Sequence, residues 1–525
     1  MLGSKKDILD TTSVVIKVEM EKRTYIDEQN NNSYKNITNY TGKDIYIGIV
    51  TSEDIDCFDI ELLKEDATSK VRCVWEQIDK ETGSYYIPTR REINKNITEN
   101  INIKDTVKNN NKIQENMNVF AEESRCGNNA KIMELDMNDT TWLGVTTGNG
   151  DKIVNKSLIP NSEILVAKIK SAPANIQDQY CLHKESGLSC TADILIGVKK
   201  LVQLAKLNNK PIVIYIPYNY VLTSLEGLSI YDREFREISY INGVTLVMPG
   251  GEEADKMRRE HLRLDLVDPI EISCKNEKQI IRGKISSEKV NEFKAYIVPN
   301  EDYDKKIYIH EAGVFKLDNA EIKTSGVCWE DNGELTINFR ILQERRIKWK
   351  VIIEGDNSSK YEMNITLAEG KLSQNVTLSK SEGLDTINTG IYRCGAIGVG
   401  SFDTQSFVTM QSSGRTSKKY INRLDCVADG KIYLNKVGQN GATMIEGTSV
   451  ACSKVVGAVA LLYEYFIENV AVDSKNEYLP NTQMMRRWLR AMLTGLPEQD
   501  YPSISQGYGI LDTKKLYKFI NGDFL

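Results

Sequence analysis

The chain contains two different patterns of hydrophobic and polar positions, which follow one another along the sequence. In residues 41–255 and again in 391–525, short uninterrupted apolar runs are separated by segments with helical spacing. Buried strands that alternate with helices predict a parallel sheet with helices on both faces. The predicted strands are IYIGIV (45–50), EILVAKI (163–169), PIVIYI (211–216) and TLVMP (245–249), and the predicted helices cover 191–207, 449–468 and 481–494.

The residues between these two stretches have a different pattern. Residues 256–390 contain short alternating segments such as IIRGKIS, ELTINFRI and IKWKVIIEG, separated by turn residues and without helical spacing. This pattern predicts an all-β sandwich or barrel inserted into the α/β domain. Residues 1–40 are polar and Asn-rich, and within them VVIKVEM alternates as a strand would.

Length and charge narrow the class of protein. A chain of 525 residues is too long for one compact core, so we expect two domains. A net charge of -6 gives no general attraction to nucleic acid or anionic membranes, and we interpret RRWLR (486–490) as the solvated side of a helix. We find no apolar run of the roughly 20 residues that cross a bilayer. The start, MLGSKKDILD, predicts no signal peptide.

Cysteine usage predicts neither a metal site nor a cofactor. The chain has ten cysteines and none forms a CxxC pair, which favours buried, reduced thiols over zinc ligands. It has three histidines, His183, His261 and His310, and none lies in a motif that would supply a catalytic base.

The motif with the clearest chemistry is GTSVACS at 447–453, which opens a predicted helix. A serine at a helix start, after a turn of small residues, has the geometry of a nucleophile beside backbone N–H groups that form part of an oxyanion site. The alternative is that Thr448 or Ser449 caps the helix. The motif by itself leaves both interpretations open.

The surrounding motifs resemble those of subtilisin-like serine proteases, in the order of that family. GTSVACS and the KVVGAVALL that follows resemble the family's nucleophile motif, and four other segments resemble its remaining landmarks. These are TGKDIYIGIVTSEDID (41–56) for the aspartate, NDTTWLGVTTGNG (138–150) for the histidine, PIVIYIPYN (211–219) for the substrate-lining strand and TLVMPGGEEA (245–254) for the oxyanion asparagine. The resemblance implies a subtilisin-like α/β domain formed by 41–255 and 391–525.

Two further segments narrow the resemblance to the Csp germination proteases of spore-forming anaerobes. They are VWEQIDKETGSYYIPTRREINKNI (74–97) and QGYGILDTKKLYKFI (506–520). That group has a jelly-roll insert, here 256–390, and a prodomain of which 1–40 is a candidate remnant. The resemblance implies work in the bacterial spore, in the cortex and coat region. The implied partners are other Csp germination proteins and a small-molecule germinant, namely a bile salt, an amino acid or calcium.

The chain departs from the family at the residues that carry catalysis. The aspartate of the triad aligns with Thr51 and the histidine with Asn138, whereas the serine is kept as Ser449. A serine hydroxyl needs a base, and neither threonine nor asparagine titrates in the useful range. The resemblance therefore implies an inactive member, a pseudoprotease of the CspA or CspC type, and we interpret Ser449 as a retained helix cap.

The positions that bind substrate depart as well. The oxyanion asparagine aligns with Gly251, and loss of such a donor costs about 10²–10³ in rate. In the substrate-lining strand the family's serine becomes Pro217 and its glycine becomes Asn219. Pro217 has no N–H, so it cannot donate to a substrate that adds as a strand.

Three alternatives stay open. A sedolisin-like peptidase would use a carboxyl group as the base, and Glu134, Asp136 and Asp139 crowd the histidine region, where the simpler interpretation is solvated loop residues. A Ser–Lys pair would use Lys454, which lies five residues along the same helix as Ser449. A structural spore protein would use the β insert as a scaffold surface.

Overall fold

The computed structural model describes most of the α/β and β regions of the chain. The described residues are 14–17, 21–23, 39–78, 83–87, 139–150, 157–182, 188–220, 230–257, 259–263, 269–287, 294–300, 302–329, 335–354, 362–368, 372, 375–379, 381–435, 442–469 and 479–522.

The centre of the molecule is a large mixed sheet. Among the described residues it has eleven strands, with a parallel centre and antiparallel edges. The strand Val408–Thr409 pairs with Ile397–Asp403 beside the main path. In spatial order the main path is Leu493–Thr494, Ile510–Leu511, Cys426–Asp429, Ile397–Asp403, Val244–Pro249, Ile212–Tyr215, Tyr46–Thr51, Glu163–Lys168, Val71–Gln77 and Gly83–Tyr86. The predicted parallel sheet is confirmed.

Helices cover both faces of this sheet. One face packs against Thr448–Asn469, which we call the central helix, and the other face packs against Thr191–Leu207. The described α-helices are Asp139–Thr147, Ala174–Gln179, Thr191–Leu207, Ile230–Ile238, Thr389–Cys394, Thr448–Asn469, Thr482–Ala491 and Thr513–Ile520, and short 3-10 helices cover Ile60–Leu62, Tyr303–Lys305 and Lys418–Tyr420.

The central helix is apolar around its whole circumference, and most of its surface is buried in the protein. It has 22 residues, and its most apolar window has a mean hydropathy of 1.6 with 83% of the window buried in the protein. By length and composition, this described helix could cross a membrane. The expectation that the chain contains no apolar run of that length was therefore wrong. A helix that is hydrophobic all round is typical of a protein core as well as of a membrane span.

The helix that carries RRWLR is less solvated than predicted. Asn481 caps its start by accepting hydrogen bonds from the N–H groups of Gln483 and Met484. Near its end, the guanidinium groups of Arg486 and Arg490 form ion pairs with Asp425, at 2.9 and 3.1 Å. These arginines tie the helix to the sheet, so the interpretation of this segment as a solvated face was wrong for them.

A separate β region follows the sheet strand Val244–Pro249. Two sheets enclose a core in which alternate residues such as Ile337, Phe339 and Ile341 point inward. One sheet contains Arg259–Arg263, Glu362–Leu367, Gln279–Ser287, Leu335–Gln343, Ala320–Trp329 and Ala312–Leu317, and the other contains Ile307–Tyr308, Lys294–Pro299, Trp349–Glu354, Ile270–Cys274 and Val376–Leu378. The jelly-roll description and the boundaries 256–390 stay predictions.

Two small sheets join distant parts of the chain. In one, Val14–Lys17 lies between Leu188–Cys190 and Tyr218–Tyr220. In the other, Glu21–Arg23 pairs with Ala442–Glu446, which also pairs with Lys431–Asn435. The N-terminal strand that VVIKVEM predicted is therefore present as Val14–Lys17.

Overpacking the central helix tests the tightness of this core. A Cβ at Gly457 would lie 3.2 Å from Leu158, which is closer than an ordinary contact. We expect Gly457→Leu to lower the free energy of unfolding by about 1–3 kcal/mol. Urea denaturation measures the change. The control is Glu468→Leu, which adds the same side chain at an exposed position of the same helix and is expected to change stability by less than about 0.5 kcal/mol. Equal effects of the two substitutions would contradict the packing described.

Candidate functional site

Ser449 is the second residue of the central helix and is almost completely covered, with 2% of its surface exposed. Its Oγ has no hydrogen-bond partner within the described structure. The interpretation of Ser449 as a helix cap was therefore wrong, because a capping hydroxyl accepts a hydrogen bond from a backbone N–H of the first turn. Within the described residues, no side-chain hydrogen bond explains why this position holds a serine.

Two aromatic rings cover the serine. Trp142 donates from its indole Nε1 to the Ser449 carbonyl oxygen at 3.0 Å, and its ring stacks on Tyr215 with 3.8 Å between centroids. Burial raises the pKa of the Tyr215 phenol well above its ordinary value, and the nearby Ser449 hydroxyl opposes that effect only in part. The phenol therefore stays protonated at neutral pH and cannot take a proton from Ser449.

Thr51 and Asp139 form a buried pair where the family's aspartate and histidine regions meet. Thr51 ends the strand Tyr46–Thr51, and its Oγ1 donates to Oδ2 of Asp139, the first residue of the helix Asp139–Thr147. Glu53 adds a second link, because its N–H donates to Thr51 Oγ1 at 2.9 Å and its carboxylate accepts from the Asp139 N–H at 3.3 Å. Asp139 is buried, so its interpretation as a solvated loop residue was wrong.

Three of the predicted positions in this region cannot be placed. Asn138, which aligns with the catalytic histidine, lies outside the described residues, as do Glu134 and Asp136. Asp139 is therefore the acidic residue of that group for which the structure gives contacts. Its carboxylate binds the Thr51 hydroxyl, and it is not hydrogen-bonded to Ser449 Oγ, which has no partner among the described residues.

We call the region around Thr51, Asp139, Gly251 and Ser449 the cleft. Its most consequential residue is Glu252, which the sequence analysis did not single out. It follows Gly251, and its Oε1 accepts a hydrogen bond from the Thr448 N–H at the start of the central helix. Its Oε2 accepts from the Ser412 hydroxyl at 2.6 Å. A carboxylate at a helix N-terminus is held by the free N–H groups and by the helix dipole. The Glu252 carboxyl group therefore contacts the backbone one residue before Ser449.

Gly251 lies beside this carboxylate in a left-handed conformation, with φ of 90°. This backbone geometry favours glycine, and glycine has no side chain that could donate to an oxyanion. The carbonyl oxygen of Gly251 accepts from the Gly414 N–H at 2.9 Å. Gly251, at the predicted oxyanion position, therefore contributes a backbone hydrogen bond to this turn and no side-chain donor.

Pro217 and Asn219 lie where the predicted substrate-lining strand ends. Asn219 is buried, and its Oδ1 accepts from the Thr389 N–H at 3.2 Å, which fixes the start of the helix Thr389–Cys394. Pro217 immediately precedes the short strand Tyr218–Tyr220. The missing N–H of Pro217 does not prevent this strand from pairing, because the three residues after it form a ladder with the N-terminal strand.

The N-terminal strand pairs with the end of the segment that is predicted to line a substrate. Val14–Lys17 pairs antiparallel with Tyr218–Tyr220 on one side, with Ile16 opposite Asn219, and with Leu188–Cys190 on the other. A peptide recognised by strand addition would use the same backbone groups of Tyr218–Tyr220. The chain thereby covers this strand with its own segment.

A second short strand near the N-terminus pairs next to the start of the central helix. Glu21–Arg23 pairs with Ala442–Glu446, the strand that leads through Gly447 into the central helix. Four residue steps join Lys17 to Glu21, and they span at most about 14 Å. Lys17 and Glu21 therefore lie no more than about 14 Å apart.

The remaining candidate bases lie elsewhere. Lys454 Nζ binds the Asp429 carboxylate and the Lys431 carbonyl oxygen, so it is not available to Ser449. His261 belongs to the strand Arg259–Arg263 and His310 follows the strand Ile307–Tyr308, both in the β region, and His183 lies outside the described residues. Within the described residues no group of three or more His, Cys, Asp or Glu side chains could hold a metal ion.

Comparison with solved structures identifies the architecture. The chain is similar to the CspB protease of Clostridium perfringens, with a TM-score of 0.68, 16% identity, and coverage of 94% of this chain and 96% of that one. This chain has the subtilisin-like fold. A mutant of the protease domain of PatA matches with a TM-score of 0.40 at 12% identity, over 93% of this chain and 99% of that one. No family model and none of the curated proteins matches the sequence.

The subtilisin-like fold explains which site residues the sequence could find. Thr51, Gly251, Pro217, Asn219 and Ser449 were singled out because they lie in motifs that follow the order of that fold, and their roles stay predictions. Glu252 was missed because its partner Thr448 is 196 residues away, although the doubled glutamate of GGEEA directly after the oxyanion position was a visible signal. Tyr215 was missed because a tyrosine in an apolar strand is ordinarily a core residue.

Two serine-to-alanine substitutions test the geometry of the cleft. Ser449→Ala removes a buried hydroxyl for which the described residues supply no partner, so we expect no loss of stability, or a small gain. Ser412→Ala removes a hydrogen bond to the Glu252 carboxylate and is expected to cost about 1–2 kcal/mol. Chemical denaturation of both variants provides the comparison. A larger loss in Ser449→Ala than in Ser412→Ala would show that the Ser449 hydroxyl is a cap after all.

Proposed function

We propose that this chain is a catalytically inactive subtilisin-like protein, a pseudoprotease of the Csp germination group and of the CspA or CspC type. In this proposal it works in the cortex and coat region of the bacterial spore, where it senses a germinant or regulates the active germination protease. It binds and does not cut.

The observation that carries the proposal is the Glu252 carboxylate at the start of the central helix. Acyl transfer at Ser449 would develop negative charge on the substrate's carbonyl oxygen close to the first N–H groups of this helix. Glu252 already supplies a negative charge there and accepts the Thr448 N–H. A fixed carboxylate would repel the developing oxyanion, and repulsion between like charges is strong in a buried, water-poor site.

The pairing of Thr51 with Asp139 supports the same conclusion. In a serine protease triad the residue at the strand end is a carboxylate that orients and stabilises a charged base. Here the strand end supplies a hydroxyl donor, and the carboxylate of the pair comes from the helix. Ser449 Oγ has no hydrogen-bond partner among the described residues, so this carboxylate is not placed as its base. This geometry disfavours the sedolisin-like alternative.

The N-terminal segment supports a binding role in place of a peptidase role. Its strand Val14–Lys17 covers the edge that a peptide substrate would need. Since the segment belongs to the same chain, its effective concentration at the cleft is high and an external peptide competes poorly. Partner proteins, such as other Csp germination proteins, would then bind other surfaces. The proposed role requires neither nucleic acid as a partner nor a membrane span.

Reactivity of Ser449 tests the proposal directly. We expect no labelling by a fluorophosphonate probe and no cleavage of casein or peptide esters, because no neighbouring group among the described residues activates the hydroxyl. In-gel detection and mass spectrometry of the labelled peptide measure the result, with an active subtilisin as the positive control. Stoichiometric labelling of the wild-type chain that disappears in Ser449→Ala would contradict the proposal.

A repaired triad extends the same test. The double substitution Thr51→Asp with Asn138→His is expected to recover no substantial cleavage, since Glu252 and the missing donor at Gly251 remain. When catalytic groups act as a unit, restoring only some of them recovers little of the catalytic rate. The matched variant adds Glu252→Gln to the same background. Robust cleavage by the double variant would show that the carboxylate is not a barrier.

A further inference from the structure

Lys70 is a buried lysine whose charge the candidate site does not use. It lies directly before the strand Val71–Gln77, and 2% of its surface is exposed. Lysine is rarely buried to this extent, because an ammonium group that leaves water needs acceptors that replace its hydration. The fold must therefore supply acceptors around the Lys70 ammonium.

Three oxygen atoms surround this ammonium. Its Nζ donates to the carbonyl oxygen of Thr147 at 2.6 Å, to Oδ1 of Asn149 at 2.8 Å and to the carbonyl oxygen of Glu61 at 3.3 Å. An ammonium group has three N–H donors, and these three acceptors match them. Thr147 ends the helix Asp139–Thr147, so its carbonyl oxygen lies at the negative end of the helix dipole, where a positive charge is favourable.

The oxygen atoms are held in place by contacts of their own residues. Asn149 donates from Nδ2 to the Leu63 carbonyl oxygen at 2.7 Å, and the Gly150 N–H donates to Oε2 of Glu61 at 2.9 Å. A Cβ at Gly148 would lie 2.5 Å from the same Oε2, so the loop approaches Glu61 this closely because glycine is there. Carbonyl, amide and carboxylate oxygens in a fixed arrangement are the ligands that hard cations such as calcium take in proteins.

We propose that this group of oxygen atoms is a cation site and that the Lys70 ammonium is its permanent, covalently tethered cation. The ammonium supplies the positive charge that a bound cation would supply, and it cannot dissociate from the chain. A second cation at the same place would be repelled, so the wild-type chain takes up no soluble cation there. The inference does not depend on the proposed lack of catalysis, because it rests on the contacts of Lys70 alone.

The same contacts position one wall of the cleft. The helix Asp139–Thr147 is about 12 Å long. Lys70 binds its last residue, and the carboxylate of its first residue, Asp139, accepts from the Thr51 hydroxyl. A short helix is a rigid element, so a shift of its end at Thr147 is passed on to Asp139. Lys70 is therefore a positioning residue for the cleft.

Chemical rescue of a truncated lysine tests the cation site. Lys70→Ala removes the last three carbons and the ammonium, which together have the size and charge of n-propylammonium. We expect the unfolding midpoint of the full chain to fall by about 5 °C, and n-propylammonium chloride to restore most of this loss with a saturable dose response. Differential scanning calorimetry measures the midpoint. 1-Propanol, which has a similar size and no charge, is expected to give no saturable rise.

Two control variants separate the loss of the ammonium from general effects. Lys64→Ala removes an exposed lysine that pairs with Glu163 at the surface, so we expect a shift of less than about 1 °C and no response to n-propylammonium. Lys70→Met keeps most of the volume of the side chain, so it is destabilised and leaves no room for rescue. If Lys70→Ala does not fold in buffer, its refolding yield with n-propylammonium, compared with 1-propanol, replaces the midpoint.

The Trp142 ring reports the position of the helix. It stacks on Tyr215 with 3.8 Å between centroids, and its near-UV circular dichroism band is identified by difference from Trp142→Phe. We expect Lys70→Ala to weaken this band below its unfolding transition and n-propylammonium to restore it, whereas a loss of stability alone leaves the band unchanged.

The outcomes that contradict the proposal are distinct. Absence of a saturable response in Lys70→Ala, an equal response to 1-propanol, or an equal response in Lys64→Ala or Lys70→Met each overturns the cation site. An unchanged Trp142 band in Lys70→Ala overturns the positioning role.

Discussion

The burial of the central helix Thr448–Asn469 against the parallel sheet is the constraint on which the fold and the cleft both depend. The helix is apolar on all sides, and residues from most strands of the sheet and from other helices contribute to the core around it. This packing fixes where the helix begins. Because its first N–H groups have no partner within the helix, the fold must supply an acceptor at its start.

Glu252 meets that requirement, and the same contact carries the proposal of inactivity. In an active serine protease, the hydrogen-bond donors near this helix end are arranged to stabilise a charge that develops only during the reaction. Keeping these donors without a partner in the free enzyme lowers its stability. Here a carboxylate from the chain itself takes the position and is further held by Ser412. The arrangement stabilises the start of the helix, and it is the contact on which the proposed lack of catalysis at Ser449 rests.

Local pattern was enough to predict four strands of the central sheet, at 45–50, 163–169, 211–216 and 245–249, and the helices at 191–207, 449–468 and 481–494. Apolar runs such as IYIGIV and PIVIYI are long enough to identify buried strands, and GTSVACS identified the start of the central helix. Local pattern could not predict the contacts that distinguish this cleft. Thr51 meets Asp139 across 88 residues and Glu252 meets Thr448 across 196, and neither pair leaves a periodic signal in the sequence.

The N-terminal strand shows the same limit in another form. VVIKVEM predicted a strand, yet nothing local in it indicates that Val14–Lys17 pairs with Tyr218–Tyr220 or that Glu21–Arg23 pairs beside the start of the central helix. Both pairings join residues that lie far apart in the sequence.

The intact mass of the purified chain after prolonged incubation tests this account most directly. The account predicts a single species with the mass of the uncut chain, for the wild type as for Ser449→Ala. A cleavage product that appears in the wild type and is absent from Ser449→Ala would show that the serine is an active nucleophile, and the account would be contradicted.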